Sequence, residues 1–219
     1  MSKEVVVVVA GGEAPEPDAA RAVPAGAPVV AADRGLDHAQ ALGLQVTVAV
    51  GDFDSASAEA VAAAEVAGTP IERHPEAKDA TDLELALDAA LALEPKRILV
   101  LAGLGERLDH LLGALLLLAA PRYAGAEVDA WIGRALIHVV RDERAFRGAP
   151  GELVSLFAAH GPAEGVRTEG LVYPLAGETL APGSTRGVSN ELATESARVT
   201  LERGILVAVR PRADAGEPL

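Results

Sequence analysis

Cysteine is absent from the 219-residue chain, which removes disulfides, Fe–S clusters, thiolate zinc sites and cysteine nucleophiles together. Aromatic residues are scarce at 3%, and only three lysines occur, Lys3, Lys78 and Lys96, so each of them stands out. Long apolar runs are missing too. Leu111 to Ala120 falls far short of the ~20 residues a membrane span needs, and Val5 to Val9 is too short for a signal peptide and reads as a strand. These absences predict a soluble cytoplasmic protein. Positive charge is also short: Lys plus Arg is 19 against 32 Asp plus Glu, a net charge of −13. So acidic a chain lacks the overall footprint for duplex nucleic acid or anionic lipid, and a phosphate ligand must be met by local amides, a few basic residues or a metal. No GxxxxGK[ST] is present, and Leu108 stands where a dinucleotide fingerprint beginning at Gly103 needs glycine, so neither the P-loop nor the Rossmann NAD class applies.

What is present suffices for a core, since half of the residues are hydrophobic. Through residue 140, apolar β-rich runs alternate with Ala/Leu-rich stretches, the pattern of βαβ units around a mostly parallel sheet. Strands are expected at Glu4 to Ala10, Pro28 to Ala32, Thr47 to Val50, Ile71 to His74, Arg97 to Ala102 and Glu127 to Ile132. Helices are expected at Leu36 to Leu42, Ala58 to Ala67, Thr81 to Leu93 and Asp109 to Ala119, with Ser57 and Asp79 as N-caps. Beyond Arg141 helical periodicity gives way to short runs, Glu152 to Ala158, Gly165 to Leu175 and Ser196 to Val209, separated by Gly and Pro. The expected architecture is an α/β domain over 1–140, a small antiparallel β-sandwich over 141–210 and a fraying tail over 211–219.

In α/β sheets ligands bind at the carboxyl ends of strands. Three such loops carry carboxylates. In Gly51-Asp52-Phe53-Asp54-Ser55, continued strand geometry turns Asp52 and Asp54 to the same side, where a hard cation such as Mg²⁺ relieves their repulsion; alternatively, Asp54 or Ser55 caps the next helix and Asp52 is solvated. In Lys78-Asp79-Ala80-Thr81-Asp82 the aspartates suit a helix start in any protein, but Lys78 adds a phosphate contact. In Gly103 to His110, glycines allow amides to approach a phosphate and Arg107 adds donors, while His110 reads equally as a cap or surface residue. A fourth strand end, Ala31-Ala32-Asp33-Arg34-Gly35, offers Asp33 to a ribose or base, or as a helix cap. Acid, glycine and base gathered at four strand ends point to a Mg²⁺-dependent enzyme acting on a nucleotide phosphate.

These motifs, followed in order by Gly170-Leu171-x-Tyr173-Pro174-Leu175 and Ser189-Asn190, resemble the thiamine pyrophosphokinase (thiamine diphosphokinase) family. Each is short; six in order across Ala31 to Asn190 make the signal specific. The resemblance implies an ATP- and Mg²⁺-binding α/β domain, a C-terminal β-sandwich, and a homodimer with thiamine bound between subunits. The implied reaction transfers a pyrophosphoryl group from ATP to the thiamine hydroxyl and releases AMP. Carried over, Asp52, Asp54 and Asp82 hold Mg²⁺, while Asp33, Gly35, Lys78, Asp79, Arg107, Asp109 and His110 surround ATP or shape its loops. Ser189 and Asn190 contact thiamine, and Asp79 is a candidate to orient the hydroxyl or accept its proton. The chain departs from the family at Arg34 and Glu106, where glycine is common, and at Ala114, where asparagine is frequent. No aromatic residue follows Asn190 to cover a thiamine ring, leaving Trp131 and Tyr173, for each of which core packing is the competing role. Two rival readings remain: a nucleotide-sugar transferase using Asp52-Phe53-Asp54 as its DxD motif, and a non-catalytic nucleotide or thiamine binder of the same fold.

Overall fold

A computed structural model of the chain describes residues 3–213, Lys3 by its backbone alone; of the expected tail, 214–219 lie outside the described residues. Packing divides the chain into two units. The first ends at Leu111 and takes in Trp131–Gly133; the second comprises Leu112–Ala130 and the residues from Arg134 onward.

The first unit alternates strand and helix: β1 (Lys3–Val9), β2 (Val29–Ala32), α1 (Gly35–Ala41), β3 (Val48–Gly51), α2 (Ala58–Val66), β4 (Ile71–Arg73), α3 (Asp82–Leu91) and β5 (Pro95–Ala102). Its strands lie in the order β5-β1-β2-β3-β4 and every pair is parallel, with Val7 beside both Val29 and Leu99. Val6 to Val9 of β1 and all of β2 are apolar and enclosed, as a parallel sheet covered on both faces requires. Leu36 of α1 and Ala60 and Ala64 of α2 pack with Ala31 and Ala49. Helix α3 buries Ala86, Leu87 and Ala90 and packs on β1, β2, β3 and β5. Ser57 caps α2 as expected, accepting from the Ala60 amide at 3.1 Å. At α3 the cap is Thr81, which accepts from the Glu84 amide, and not Asp79, which is exposed two residues earlier.

Helix α4 (Leu108–Leu118) follows β5 and is buried only at Leu118; Leu108, Leu112 and Leu116, four residues apart, are 74%, 56% and 45% exposed. The second unit then runs as strands: β6 (Glu127–Ile132, its last two residues falling in the first unit), β7 (Ala135–Val140), β8 (Glu143–Arg147), β9 (Leu153–Ala158), β10 (Ala163–Glu169), β11 (Ala176–Leu180), β12 (Asn190–Glu191), β13 (Ser196–Thr200) and β14 (Leu206–Arg210). They form two sheets, in the orders β12-β9-β14-β7-β6 and β11-β10-β13-β8. Phe146, Val154, Leu156, Val166, Val199 and Leu206 come from both sheets and share one core, which is the expected sandwich. Three expectations differ in detail, and the first is that Gly165 to Leu175 is strand only through Glu169 of β10, with a loop over 170–175. Ser196 to Val209 is not one run but β13 and β14 in separate sheets, with a turn through Gly204 between them. Strands β7, β8, β11 and β12 lie outside the expected runs, and β7 pairs along its length with β14, so the residues just before 141 belong with the end of the chain.

Candidate active site

Because β2, β3 and β4 are adjacent and parallel, their carboxyl ends open on one edge of the sheet, and the loops leaving them carry Asp33, Asp52 and Lys78. Asp82 is the first residue of α3 and faces the same place. Oxygens of Asp33, Asp52 and Asp82 all lie within 4.8 Å of one another. Lys78 joins two of them, its Nζ 2.5 Å from Asp52 Oδ2 and 3.0 Å from Asp82 Oδ1.

Asp33 is buried and held in the left-handed region, at φ 47°. Its Oδ2 accepts a short hydrogen bond from the Ser55 hydroxyl, while its Oδ1 is buried without a donor. The Asp33 side chain therefore does not cap α1; its backbone carbonyl accepts from Leu36 instead. Gly35 is required by contact, since a Cβ there would stand 2.1 Å from the Val9 carbonyl oxygen. It brings α1 hard against the end of β1, two residues past Asp33.

The expected period-two pairing of Asp52 with Asp54 is not kept. Phe53 adopts φ 61°, which ends the extended geometry, and the Asp54 amide donates to Asp52 Oδ1 at 3.3 Å. Phe53 itself packs with the α1/α2 cluster and lies under the Arg73 guanidinium, 5.2 Å from its ring centre. Asp33, 19 residues before Asp52, stands beside Asp52 and Asp82, where the family resemblance implies Asp54. Asp54 stays exposed, and its carboxyl is pushed above the usual range first by the charge of Asp52. The hydrogen bond from Lys78 holds the Asp52 carboxyl below that range. Burial works to lower the Lys78 pKa, but the hydrogen bond to Asp52 and the close carboxylate of Asp82 outweigh it, and the ammonium is held above its usual value.

The other predicted residues have other partners. Arg107 and Asp109 form a two-pronged exposed pair with each other, at 2.9 Å and 2.6 Å, which holds the Asp109 carboxyl well below its usual range. His110 and Asp79 are exposed. Gly103 lies where a Cβ would meet the Glu13 and Ala14 carbonyl oxygens at 2.5 Å, so the loop after β5 closes on the loop after β1. In the second unit Ser189 is exposed, whereas Asn190 is buried. Asn190 Oδ1 accepts from the Tyr173 and Glu191 amides and its Nδ2 donates to the Tyr173 carbonyl at 2.7 Å. Asn190 thereby clamps the 170–175 loop, and Tyr173 projects from it 57% exposed. Trp131 is core.

Sequence reasoning missed Ser55 as the partner of Asp33, and it missed His38, whose Nε2 lies 2.9 Å from the Gly12 carbonyl and ties α1 to the loop after β1. The available signal for His38 was its position beside Ala39, two residues past Leu36, on the buried face of a short helix.

The carboxylate group fits a hard divalent cation. It offers oxygen ligands only, from three separate elements, and the donorless Oδ1 of Asp33 is an acceptor that a cation would satisfy.

Comparison with known proteins covers both units. The family model described as thiamin pyrophosphokinase, catalytic domain, matches residues 23–129, and that described as thiamin pyrophosphokinase, vitamin B1 binding domain, matches 135–206. The chain is 30% identical over 191 residues to the thiamine pyrophosphokinase of Bacillus subtilis (strain 168), across 83% of this chain and 86% of that one. It is similar to the crystal structure of thiamine pyrophosphokinase from Bacillus subtilis, with TM-score 0.83, 26% identity and coverage of 95% and 99% of the two chains. For the thiamin pyrophosphokinase of Geobacillus thermodenitrificans the TM-score is 0.78 at 29% identity, with 94% and 96% covered.

Proposed function

The chain belongs to the thiamin pyrophosphokinase family, and from that premise we propose how this enzyme diphosphorylates thiamine. ATP is the donor and Mg²⁺ the cofactor. The thiamine hydroxyl oxygen attacks the β-phosphorus, the bond from that phosphorus to the bridging α,β-oxygen breaks, AMP leaves, and exposed Asp79 takes the hydroxyl proton. The observation that carries this reading is the convergence of Asp33, Asp52 and Asp82 around Lys78 at the carboxyl edge of the parallel sheet.

Asp52 and Asp82 would hold the cation, with Asp54 reaching it from the exposed side of the same loop, and the cation would neutralise phosphate charge and position the β-phosphoryl group. Lys78 and Arg107 supply positive charge to the phosphates, and Asp33, at the edge of the carboxylate group, lines the nucleotide side with Asp109 and His110. Gly35 shapes that side by letting α1 start against the end of β1. A primary alcohol is a weak nucleophile, and charge neutralisation with alignment supplies most of what the reaction needs. Ser189 and the loop clamped by Asn190 contact thiamine, and exposed Tyr173 is the aromatic candidate for its ring. The active form is a homodimer, to which the uncovered leucines of α4 contribute apolar surface.

The nucleotide-sugar reading is not favoured, because the thiamine family accounts for the second unit as well as the first. The test is to incubate the pure protein with thiamine, Mg²⁺ and ATP labelled in its β-phosphate. AMP together with labelled thiamine diphosphate is expected; ADP with thiamine monophosphate, or no reaction, would refute the assignment.

A further inference from the structure

Lys78 Nζ reaches the same two carboxylates, Asp52 and Asp82, that the cation reading requires. The contact is enclosed, with the Lys78 and Asp52 side chains each 13% exposed. One ammonium does not neutralise three carboxylates, and two buried oxygens of the group lack an aligned donor. Asp33 Oδ1 has none, and Asp82 Oδ1, though 3.0 Å from Nζ, receives no hydrogen bond of good geometry. The oxygen set is therefore larger than Lys78 can satisfy. It is also too compact for an ammonium and a dication together, because like charges sharing oxygens within 4.8 Å repel strongly.

We propose that Lys78 is an exchangeable counter-ion of the cation site, and that Asp33 Oδ1 belongs to the oxygen set it vacates. In one state Lys78 bridges Asp52 and Asp82. When nucleotide and divalent cation enter, Lys78 leaves these oxygens for a phosphate oxygen, and Asp33, pinned through Oδ2 by Ser55, presents Oδ1 to the ion. The side chain has four carbons over which to swing. The exchange makes the two ligands cooperative. A cation alone must displace Lys78 with nothing in return, whereas the nucleotide gives Lys78 a new partner and thereby opens the oxygens; by linkage each ligand strengthens the other equally. The inference rests on the cation reading of this site and adds to it the fate of Lys78 and the part of Asp33.

The test measures binding, with Mn²⁺ alone as an EPR-visible probe and then Mn²⁺ with the non-transferable α,β-methylene analogue of ATP. Without nucleotide, Lys78→Met is expected to bind Mn²⁺ roughly 10- to 100-fold more tightly than the wild type, the range set by one hydrogen bond to a charged group. Lys96→Met removes the same charge from the start of β5 and should leave Mn²⁺ affinity unchanged. Adding Asp33→Asn to Lys78→Met should reverse much of the gain. The analogue should tighten Mn²⁺ binding more in the wild type than in Lys78→Met. Since the chain has three lysines, side-chain ammonium NMR of the wild type reads the exchange directly, whatever the stability of the variants. The Lys78 signal should move when Mg²⁺ and the analogue are added together, and the Lys96 signal should not. Mn²⁺ affinity in Lys78→Met equal to or weaker than wild type, or a Lys78 signal unmoved at saturating Mg²⁺ and analogue, would overturn the exchange while leaving the cation site standing. No Mn²⁺ binding by any protein, with or without the analogue, would overturn both.

Discussion

The Ser55 hydroxyl donates to the buried carboxylate of Asp33, 22 residues earlier, and so locks the loop after β3 to the end of β2. That bond fixes one Asp33 oxygen and leaves the other toward Asp52 and Asp82. Ser55→Ala is expected to lower stability by about 1–3 kcal/mol, the cost of leaving a buried acceptor unpaired. Turnover should fall with it, because Asp33 is no longer aimed. Urea unfolding beside steady-state rates checks both; an unchanged midpoint would show that the bond contributes nothing.

Asp52→Asn and Asp54→Asn should each remove most activity and leave the fold intact. Asp52 should also act on acid stability. Its folded pKa lies below the ordinary 3.8, first through the Lys78 bond, so its ionised form stabilises the protein above that value and the contribution disappears as pH falls through the folded value. Denaturant midpoints of wild type and Asp52→Asn should therefore converge on going from about pH 7 to below about pH 4. A gap that widened in acid would reverse the sign and exclude this role for the pair.

Gly35→Ala places a methyl group 2.1 Å from the Val9 carbonyl oxygen, where backbone must move. A loss of about 3 kcal/mol or more is expected, the upper end for overpacking. Gly125→Ala, whose methyl meets nothing within 4 Å, serves as the control and should change the melting temperature little.

Asn190→Ala removes both hydrogen bonds to the Tyr173 backbone and the one from Glu191. It should cost about 1–3 kcal/mol, since partly buried backbone groups are left unpaired. It should also raise the KM for thiamine and leave that for ATP nearly unchanged. Tyr173→Ala, which keeps the clamp and removes only the exposed ring, separates the two effects: a thiamine KM raised without loss of stability assigns the contact to the ring.

If the proposed homodimer forms through α4, replacing Leu108, Leu112 and Leu116 by Gln should weaken it while α4 stays folded, because these side chains are exposed and the helix is anchored through Leu118. Sedimentation velocity at micromolar concentration reads the outcome. An unchanged dimer would place its interface elsewhere.

The sequence by itself determined the parallel α/β half, because strands buried on both faces must read as unbroken apolar runs such as Val5 to Val9 and Ile98 to Ala102, with the acidic and basic residues held in the loops that follow the strands. It also determined that acid and base collect at one edge, since parallel strands send all their carboxyl ends the same way. Only the tertiary structure decided which carboxylates meet. Spacing paired Asp52 with Asp54, but one left-handed residue, Phe53, undoes a period-two argument, and strand adjacency brings in Asp33 from another loop. Asn190 likewise stands in sequence as a candidate ligand and in space as the clamp on Tyr173, a role set by pairing across 17 residues. Strands β7 and β14, 65 or more residues apart, show the same limit: alternation along one strand reveals which side is buried, while the choice of neighbour is made by the whole sheet.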